Sequence, residues 1–470
     1  MDLPRALRLM PSPPVTDQAP TSGPTLAHLF LQPHRQIAFV GAGGKTTAIF
    51  QLARSLIEQG EPAVIITATS HLGTWQIPLA GRHIVATRPA DLDPLPERGI
   101  TLITGPLEAD RTRPLSPGLT AHLSQSCLTR GLRLLIEADG SRSHPLKAPA
   151  GHEPPIPGFV DLVIVIAGLE GIGYPLASGR VHRPERFAAL TGLRMDKPVT
   201  PEAIISLLLH PEGGLKNIPV TARRLVLLNQ ADTPEAQAVA GRMARPLLHE
   251  FDSVVVGSLR AAVFQTFERT AGIILAAGES TRFSRPKQLL DWRGQPFVRA
   301  VALAALGAGL EPVIAVTGAY GDQVTTALHE LPLQVAYNAG WKEGQGASIR
   351  AGLEALARTS PARGRDSPGG AIFLLVDQPQ ISVSVLKALV EAHAADLPAI
   401  LAPLVLDRRA NPVLFDRRTF PALMGIQGDV GGRAIFDRYP VEYLPWHDER
   451  LLLDVDTPEQ YARLLEDEDL

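Results

Sequence analysis

The chain has 470 residues, with 45% hydrophobic and 20% charged residues. That balance belongs to a globular chain and excludes disorder as a whole-chain class. Lys+Arg 45 against Asp+Glu 48 leaves a formal charge of −3. Nucleic-acid binding by bulk charge is therefore not expected. One cysteine, Cys127, excludes an internal disulfide framework and any cysteine-based metal cage. It is also consistent with a reducing, cytoplasmic location.

In chain order, residues 1 to about 28 are rich in proline (Pro4, Pro11, Pro13, Pro14) and read as a mobile lead-in. The alternative is an element packed onto the body. No apolar run reaches the ~20 residues that a bilayer helix needs, so no membrane contact is expected. Ile37–Val40 reads as a buried strand, Lys45–Glu58 as a helix and Ala63–Thr67 as the next strand. Leu132–Glu137, Asp161–Ala167 and Arg224–Leu228 extend the series. Continuous apolar strands separated by helices indicate a parallel sheet covered on both faces. The pattern restarts at Ala271–Leu275. Strands at Pro312–Val316, Leu333–Tyr337 and Ala371–Val376 alternate with helices at Gln295–Leu310 and Gly321–Leu331. The expected fold class is α/β, with two three-layer domains. These are a P-loop-like parallel-sheet domain at 29–262 and a Rossmann-like domain at 268–470. Arg358–Gly370 reads as a loop insertion.

Phosphate chemistry suggests itself twice. After the first strand of the second half, Ala276, Ala277 and Gly278 have little or no side chain. Backbone N–H groups there can meet phosphate oxygens, and Arg282 and Lys287 follow with positive charge. The bland alternative is a glycine turn with solvated basic residues. Asp377 ends a later strand, and Asp454 and Asp456 lie near the end of the chain. Two carboxylates suit Mg²⁺ over a nucleotide. Asp456 could instead cap a helix before Pro458. In the first half, Val40-Gly-Ala-Gly-Gly-Lys45-Thr46-Thr47 lies between strand and helix, the setting of a phosphate loop. Gly41, Gly43, Gly44, Lys45 and Thr46 are its candidate binding residues, with a tight structural turn as the alternative. Phe39 occupies the first glycine position of the longer phosphate-loop motif. The GxxGKTT pattern that remains is similar to that of Mur-type ligases.

In the second half, LAAGESTRFSRPKQLL (275–290), Asn338 with Trp341, EGQGASIRAG (343–352), VDQP (376–379), NPVLF (411–415), GDVGGR (428–433) and DVDTPE (454–459) occur in this order. As a set they resemble the MobA-like nucleotidyltransferases, and more narrowly the molybdenum cofactor cytidylyltransferases. The resemblance implies that the 276–278 loop and Arg282 hold a triphosphate. It gives Lys287 the α-phosphate, and Asp377 and Asp456 the Mg²⁺. It places Asn338 and Ser348 near nucleotide or acceptor, and Gly428, Asp429 and Arg433 on the acceptor side. The implied substrates are CTP and molybdopterin. The implied product is molybdopterin cytosine dinucleotide, with release of pyrophosphate. Relatives that transfer guanylyl groups usually carry LAGG where this chain has LAAG. Relatives also tend to have glycine where Ala410 stands.

In the first half, Thr67-Ala-Thr-Ser-His71, Glu137-Ala-Asp139, Lys147 to Pro154 and His182 join the phosphate loop. Together they resemble the selenium-dependent hydroxylase accessory proteins of the YqeC family. A second nucleotide, ATP or GTP, and an apo molybdenum hydroxylase as partner are implied. Asn229 to Asp232 resembles the NKxD guanine motif with Gln230 in place of lysine; a turn and helix cap is the alternative. His71, His152 and His182 read as hydrogen-bonded loop residues rather than metal ligands. Two other readings stay open. One is a nucleotidyltransferase acting on a sugar phosphate or methylerythritol phosphate. The other is a non-catalytic cofactor insertion chaperone.

Overall fold

The computed structural model describes residues 1–9, 34–140, 142–279, 283, 285–359 and 368–466. The chain divides into two compact units between Phe267 and Glu268.

The N-terminal unit is built on a nine-stranded sheet. Its strands are β1 (Gln36–Gly41), β2 (Ala63–Ala68), β3 (Arg82–Val85), β4 (Gly99–Thr104), β5 (Arg133–Glu137), β6 (Leu162–Gly168), β7 (Arg223–Asn229), β8 (Ser253–Ser258) and β9 (Val263–Glu268), in the order β9-β8-β7-β6-β1-β5-β2-β4-β3. The pairings from β8 through to β3 are parallel. Every residue of β2, β5 and β6 is buried, which explains why their sequences are continuous rather than alternating. Successive β1 residues face opposite cores: Ile37 and Phe39 pack into one cluster, Ala38 and Val40 into the other. Helix α2 (Lys45–Glu58) follows β1 with the bounds that its sequence suggests.

Two expectations need correction here. The lead-in is not mobile at its start. Leu3–Ala6 form a short helix, α1, and Leu3, Ala6, Leu7 and Leu9 are buried in the cluster shared with β1 and α2. Pro4 falls in the first turn, where a missing N–H costs nothing, and the Asp2 side chain caps the helix. The remainder of the lead-in, from residue 10, lies outside the described residues. In addition, 263–267 is not inter-domain chain. It belongs to β9, with Phe264 buried.

The C-terminal unit has an eight-stranded sheet. Its strands are β10 (Thr270–Ala276), β11 (Val313–Thr317), β12 (Gln334–Tyr337), β13 (Gly370–Leu375), β14 (Ile400–Val405), β15 (Arg408–Arg409), β16 (Val413–Asp416) and β17 (Val441–Pro445). The path runs β12-β11-β10-β13-β16-β14-β15, with β17 paired to β14. The pairs among β10–β13 are parallel, while β16 runs antiparallel to β13 and β14. Ile274 and Ala276 face one core and Ala271 and Ile273 the other. Three further helices matter for the site: α3 (Phe297–Gly307), α4 (Gln345–Thr359) and α5 (Pro458–Glu466). Most of the expected 358–370 loop lies outside the described residues.

Both sheets reverse direction at the strand that precedes a phosphate-type loop. From β1 the chain first builds outward on the β5/β2 side and later on the β6 side; from β10 it builds first through β11 and then through β13. Such switch points leave a crevice at the strands' carboxyl ends.

Candidate active site and phosphate loop

In the C-terminal unit, the Ala276–Gly278 loop leaves β10 at its crevice. Ala276 is buried, whereas Ala277 and Gly278 line a cleft of ≈ 420 Å³ together with Lys287, Ser348, Asp377 and Asp456. Lys287 Nζ lies 2.9 Å from Asp377 Oδ2 and 2.8 Å from Asp456 Oδ1. Three residues spread over 170 positions of sequence thus meet at one ammonium. Burial alone would lower the Lys287 pKa, but Asp377 and Asp456 outweigh it and hold the group above the ordinary lysine value. Asp454 stands behind them, bonded 2.6 Å to Gln378 Nε2. Burial, with Asp377 and Asp456 adding repulsion, pushes the Asp454 carboxyl up despite Gln378 and Lys287.

Asp456 is free of the capping role. Gln460 Oε1 accepts from the backbone N of Asp456 and of Thr457, and the Thr457 hydroxyl accepts from Gln460 N at the start of α5. The carboxylate is left to the cleft. Asp377 Oδ1 is buried with no hydrogen-bond partner, an orphaned acceptor of the kind that a cation satisfies.

The other expected residues divide. Ser348 lines the cleft, and Asn338 lies behind it, donating 3.2 Å to the Ser348 hydroxyl while accepting from Gly340 N. Asn338 is therefore a support rather than a lining group. Asp429 lines the cleft and accepts from Gln345 N at the start of α4. Gly428 accepts from Gly346 N. Gly344 takes φ +104, and a Cβ there would fall 2.5 Å from Asp429 Cα, so the two loops touch backbone to backbone. Arg433 is exposed and is not among the residues lining this cleft. Arg282 lies outside the described residues. Ala410 has no left-handed φ, so its departure from glycine carries no backbone cost.

Sequence reasoning missed Gln288 as a functional group. Its amide donates to the carbonyls of Ala276 (3.2 Å) and Gly278 (2.7 Å), holding the loop from beneath. Phe283, Trp341 and Gln345 also line the cleft. Their only signal was membership of the quoted motifs.

In the N-terminal unit, Gly41, Gly43 and Gly44 take φ of +92, +87 and +127. Side chains are excluded at all three: a Cβ on Gly41 would meet Ile166 O at 2.2 Å, and one on Gly43 would meet Gly168 Cα at 2.5 Å. The loop opens into α2, whose N-terminal N–H groups favour an anion. Gly43, Gly44, Lys45 and Thr46 line a cleft of ≈ 1180 Å³; Gly41 stands behind them. Lys45 Nζ is turned onto Gly41 O (2.5 Å) and Asp139 Oδ1 (3.2 Å), and Thr46 Oγ1 bonds Glu137 Oε2 at 3.2 Å. Burial pushes the Glu137 carboxyl up from its ordinary value, against the pull of Lys45.

Asp139 also binds Lys147 at 2.8 Å. Lys147 binds Glu153 at 2.8 Å, and Arg183 grips Glu153 with two nitrogens. In the NKxD-like stretch, Asp232 lines the cleft, while Asn229 and Gln230 are hydrogen-bonded within the protein. Asn229 Nδ2 donates 2.6 Å to Gly43 O and its Oδ1 accepts from Leu259 N, so the amide ties the glycine loop to the segment after β8. Gln230 Oε1 accepts from Glu170 N. Among the described residues no cluster of three metal-ligating side chains occurs, His71, His152 and His182 included. No helix among them is long and apolar enough to cross a membrane.

Comparison with known proteins divides the chain in the same way. The MobA-like NTP transferase domain profile matches residues 272–443, and the YqeC protein profile matches residues 37–185. The uncharacterized protein YqeC of Escherichia coli (strain K12) is 32% identical over 233 residues, covering 48% of this chain and 87% of the relative. The nicotine blue oxidoreductase of Paenarthrobacter nicotinovorans is 34% identical over 204 residues, 41% of this chain and 95% of the relative. The purine catabolism protein PucB of Bacillus subtilis (strain 168) is 31% identical over 200 residues, 40% of this chain and 93% of the relative.

Proposed function

Since the chain belongs to the YqeC family through its N-terminal half and carries a MobA-like NTP transferase domain in its C-terminal half, we propose that it is a bifunctional maturation enzyme. Its C-terminal domain transfers CMP from CTP to molybdopterin, and its N-terminal domain binds a second nucleotide in service of an apo molybdenum hydroxylase. The observation that carries the transferase reading is the ammonium of Lys287 held between Asp377 and Asp456 at the mouth of the Ala276–Gly278 loop.

In this reading the loop N–H groups and Arg282 receive the triphosphate. The terminal phosphate oxygen of molybdopterin attacks the α-phosphorus, the bond to the β-phosphate oxygen breaks, and pyrophosphate leaves. No protein nucleophile is required. Lys287 swings from the carboxylates to the α-phosphate and offsets charge there, while Ser348 and Asp429 line the acceptor's approach. Asp377, with its orphaned Oδ1, and Asp456 would hold Mg²⁺, which when bound supplies further neutralisation of phosphate charge. Ala277 narrows the room above the base, and this favours CTP. One relative is named an oxidoreductase. An ammonium between two acids serves phosphate better than hydride, so the transferase reading is preferred.

The test is an NTP panel with molybdopterin and Mg²⁺, scoring pyrophosphate and the dinucleotide formed. Cytosine dinucleotide is expected. Release with a sugar phosphate or methylerythritol phosphate in place of the pterin would move the acceptor assignment. No release from any NTP would reject the enzyme reading and leave the insertion chaperone.

A further inference from the structure

The N-terminal cleft, at ≈ 1180 Å³, exceeds what a nucleotide fills, and the sheet order shows where the excess lies. Asn229 and Leu259, the neighbours that a Cβ on Gly44 would meet, end β7 and follow β8 on one side of β1. A nucleotide seated on the loop has that side for its base. Ser70 and Trp75 follow β2, and Arg142 and His144 follow β5, on the opposite side. Both sets line the same cavity.

The chemistry of the second side is specific. Trp75 lines the cavity and is 64% exposed, so much of its indole stays open to a ligand. Its ring edge lies over Gly73, where a Cβ would come within 2.4 Å of Nε1. The Ser70 hydroxyl is buried in the cavity wall without a hydrogen-bond partner. His144 and His182 rings lie 5.5 Å apart, beside Arg142, which no carboxylate pairs among the described residues. The field there is positive. Burial, then Arg183, Lys147, His144 and Arg142, push His182 down to about 4.

We propose that this side of the cleft is a second-substrate site for a planar heterocycle carrying a phosphate, with Trp75 stacking the ring, Ser70 bonding its edge, and Arg142 with the His144–His182 pair receiving the anion. The N-terminal unit then holds two ligands at once, a nucleotide on the phosphate loop and an aromatic phosphate beyond it. The assignment of sides rests on the nucleotide reading of that loop. The ligand class rests on Trp75, Ser70 and Arg142 themselves. It coincides with the class proposed for the C-terminal acceptor, so one cofactor precursor could visit both halves.

The test is equilibrium binding to the full chain, loaded with a non-hydrolysable ATP analogue. The probe is fluorescent 6-hydroxymethylpterin phosphate, with pterin and inorganic phosphate as half-probes. Trp75→Ala and Arg142→Ala should each remove one equivalent of bound probe, or weaken it roughly ten- to hundredfold, the scale of one lost stacked ring. Trp75→Phe should restore it, and pyrophosphate release from CTP should be unchanged in all three. The counts in the unaltered protein and in Trp75→Ala together separate the two proposals: two falling to one if both hold, one falling to none if only the second-substrate site holds, and one left unchanged if only the C-terminal acceptor reading holds. Equal binding in Trp75→Ala and the unaltered chain, or inorganic phosphate bound as tightly as the pterin phosphate, overturns the second-substrate site.

Discussion

Gln288 lies one residue beyond Lys287 and bonds in a different direction: its amide holds the carbonyl of Gly278 at 2.7 Å, while the lysine beside it reaches Asp377 at 2.9 Å. A short 3₁₀ turn over Lys287–Leu289 makes this division possible, since adjacent side chains on it diverge by about a third of a turn. Gln288→Ala removes both loop bonds. Two hydrogen bonds of ~1 kcal/mol each predict that KM for the nucleotide rises roughly ten- to thirtyfold. The kcat should fall much less, because Gln288 positions the loop without touching the reacting atoms. Steady-state kinetics at varied CTP separate the two parameters.

Lys287→Ala leaves Asp377 and Asp456 without their shared counter-ion. Turnover should drop by roughly 10²–10³, the scale of losing one preorganised charge. Asp377→Ala should lose turnover as well, with the fold kept as judged by circular dichroism. Rates like those of the unaltered enzyme in either variant would contradict the assignment.

Gly44→Ala places a Cβ 2.7 Å from Asn229 Nδ2 at a φ of +127. Nucleotide binding to the N-terminal half should be lost, while CTP turnover in the C-terminal half persists. Asn229→Ala should weaken the same binding without changing preference between ATP and GTP, since its amide is spent on Gly43 rather than on a base. Calorimetric titration of both nucleotides checks this.

His182 supplies a pH dependence with a definite sign. Its folded value of about 4 lies below the ordinary 6.5, so the unfolded chain binds the proton first. The contribution to stability is complete above pH 6.5 and is lost as pH falls toward 4. Glu153, which burial would raise but Arg183 and Lys147 hold at about 2, loses its share later, between 4.5 and 2. Thermal melts at pH 7.5, 6 and 5 should show the N-terminal transition moving down. In His182→Gln the drop over that range should be smaller.

Burial pushes the Cys127 thiol up to about 12. It should stay unreacted with a thiol reagent at pH 8 until denaturant is added, as mass spectrometry would show.

The strands were legible because both sheets are covered on two faces, so each core strand is an uninterrupted apolar run. Lys45–Glu58 was legible at both ends because glycines precede it and Gln59-Gly60 follows. The convergence of Lys287 with Asp377 and Asp456 is a property of sheet order, which local pattern does not carry; motif order supplied it. Other relationships had no local signal. Asn338 turned out to support Ser348, and Asn229 to hold the Gly41–Gly44 loop, because an amide has several uses and the sequence does not say which neighbour it meets. Leu3 and Leu7 were hidden in a proline-rich stretch, and Pro4 sits in the first turn, where it costs the short helix nothing.

On the proposed transferase reading, the lysine between two acids also sets the order of events at the C-terminal cleft. A divalent ion arriving alone meets a resident positive charge already neutralising the oxygens that it seeks. One arriving with a polyphosphate brings the anion that draws the ammonium aside. If Asp377 and Asp456 hold the ion as proposed, loading is an exchange of counter-ions, and Lys287 keeps a lone divalent ion off both carboxylates until a polyphosphate arrives.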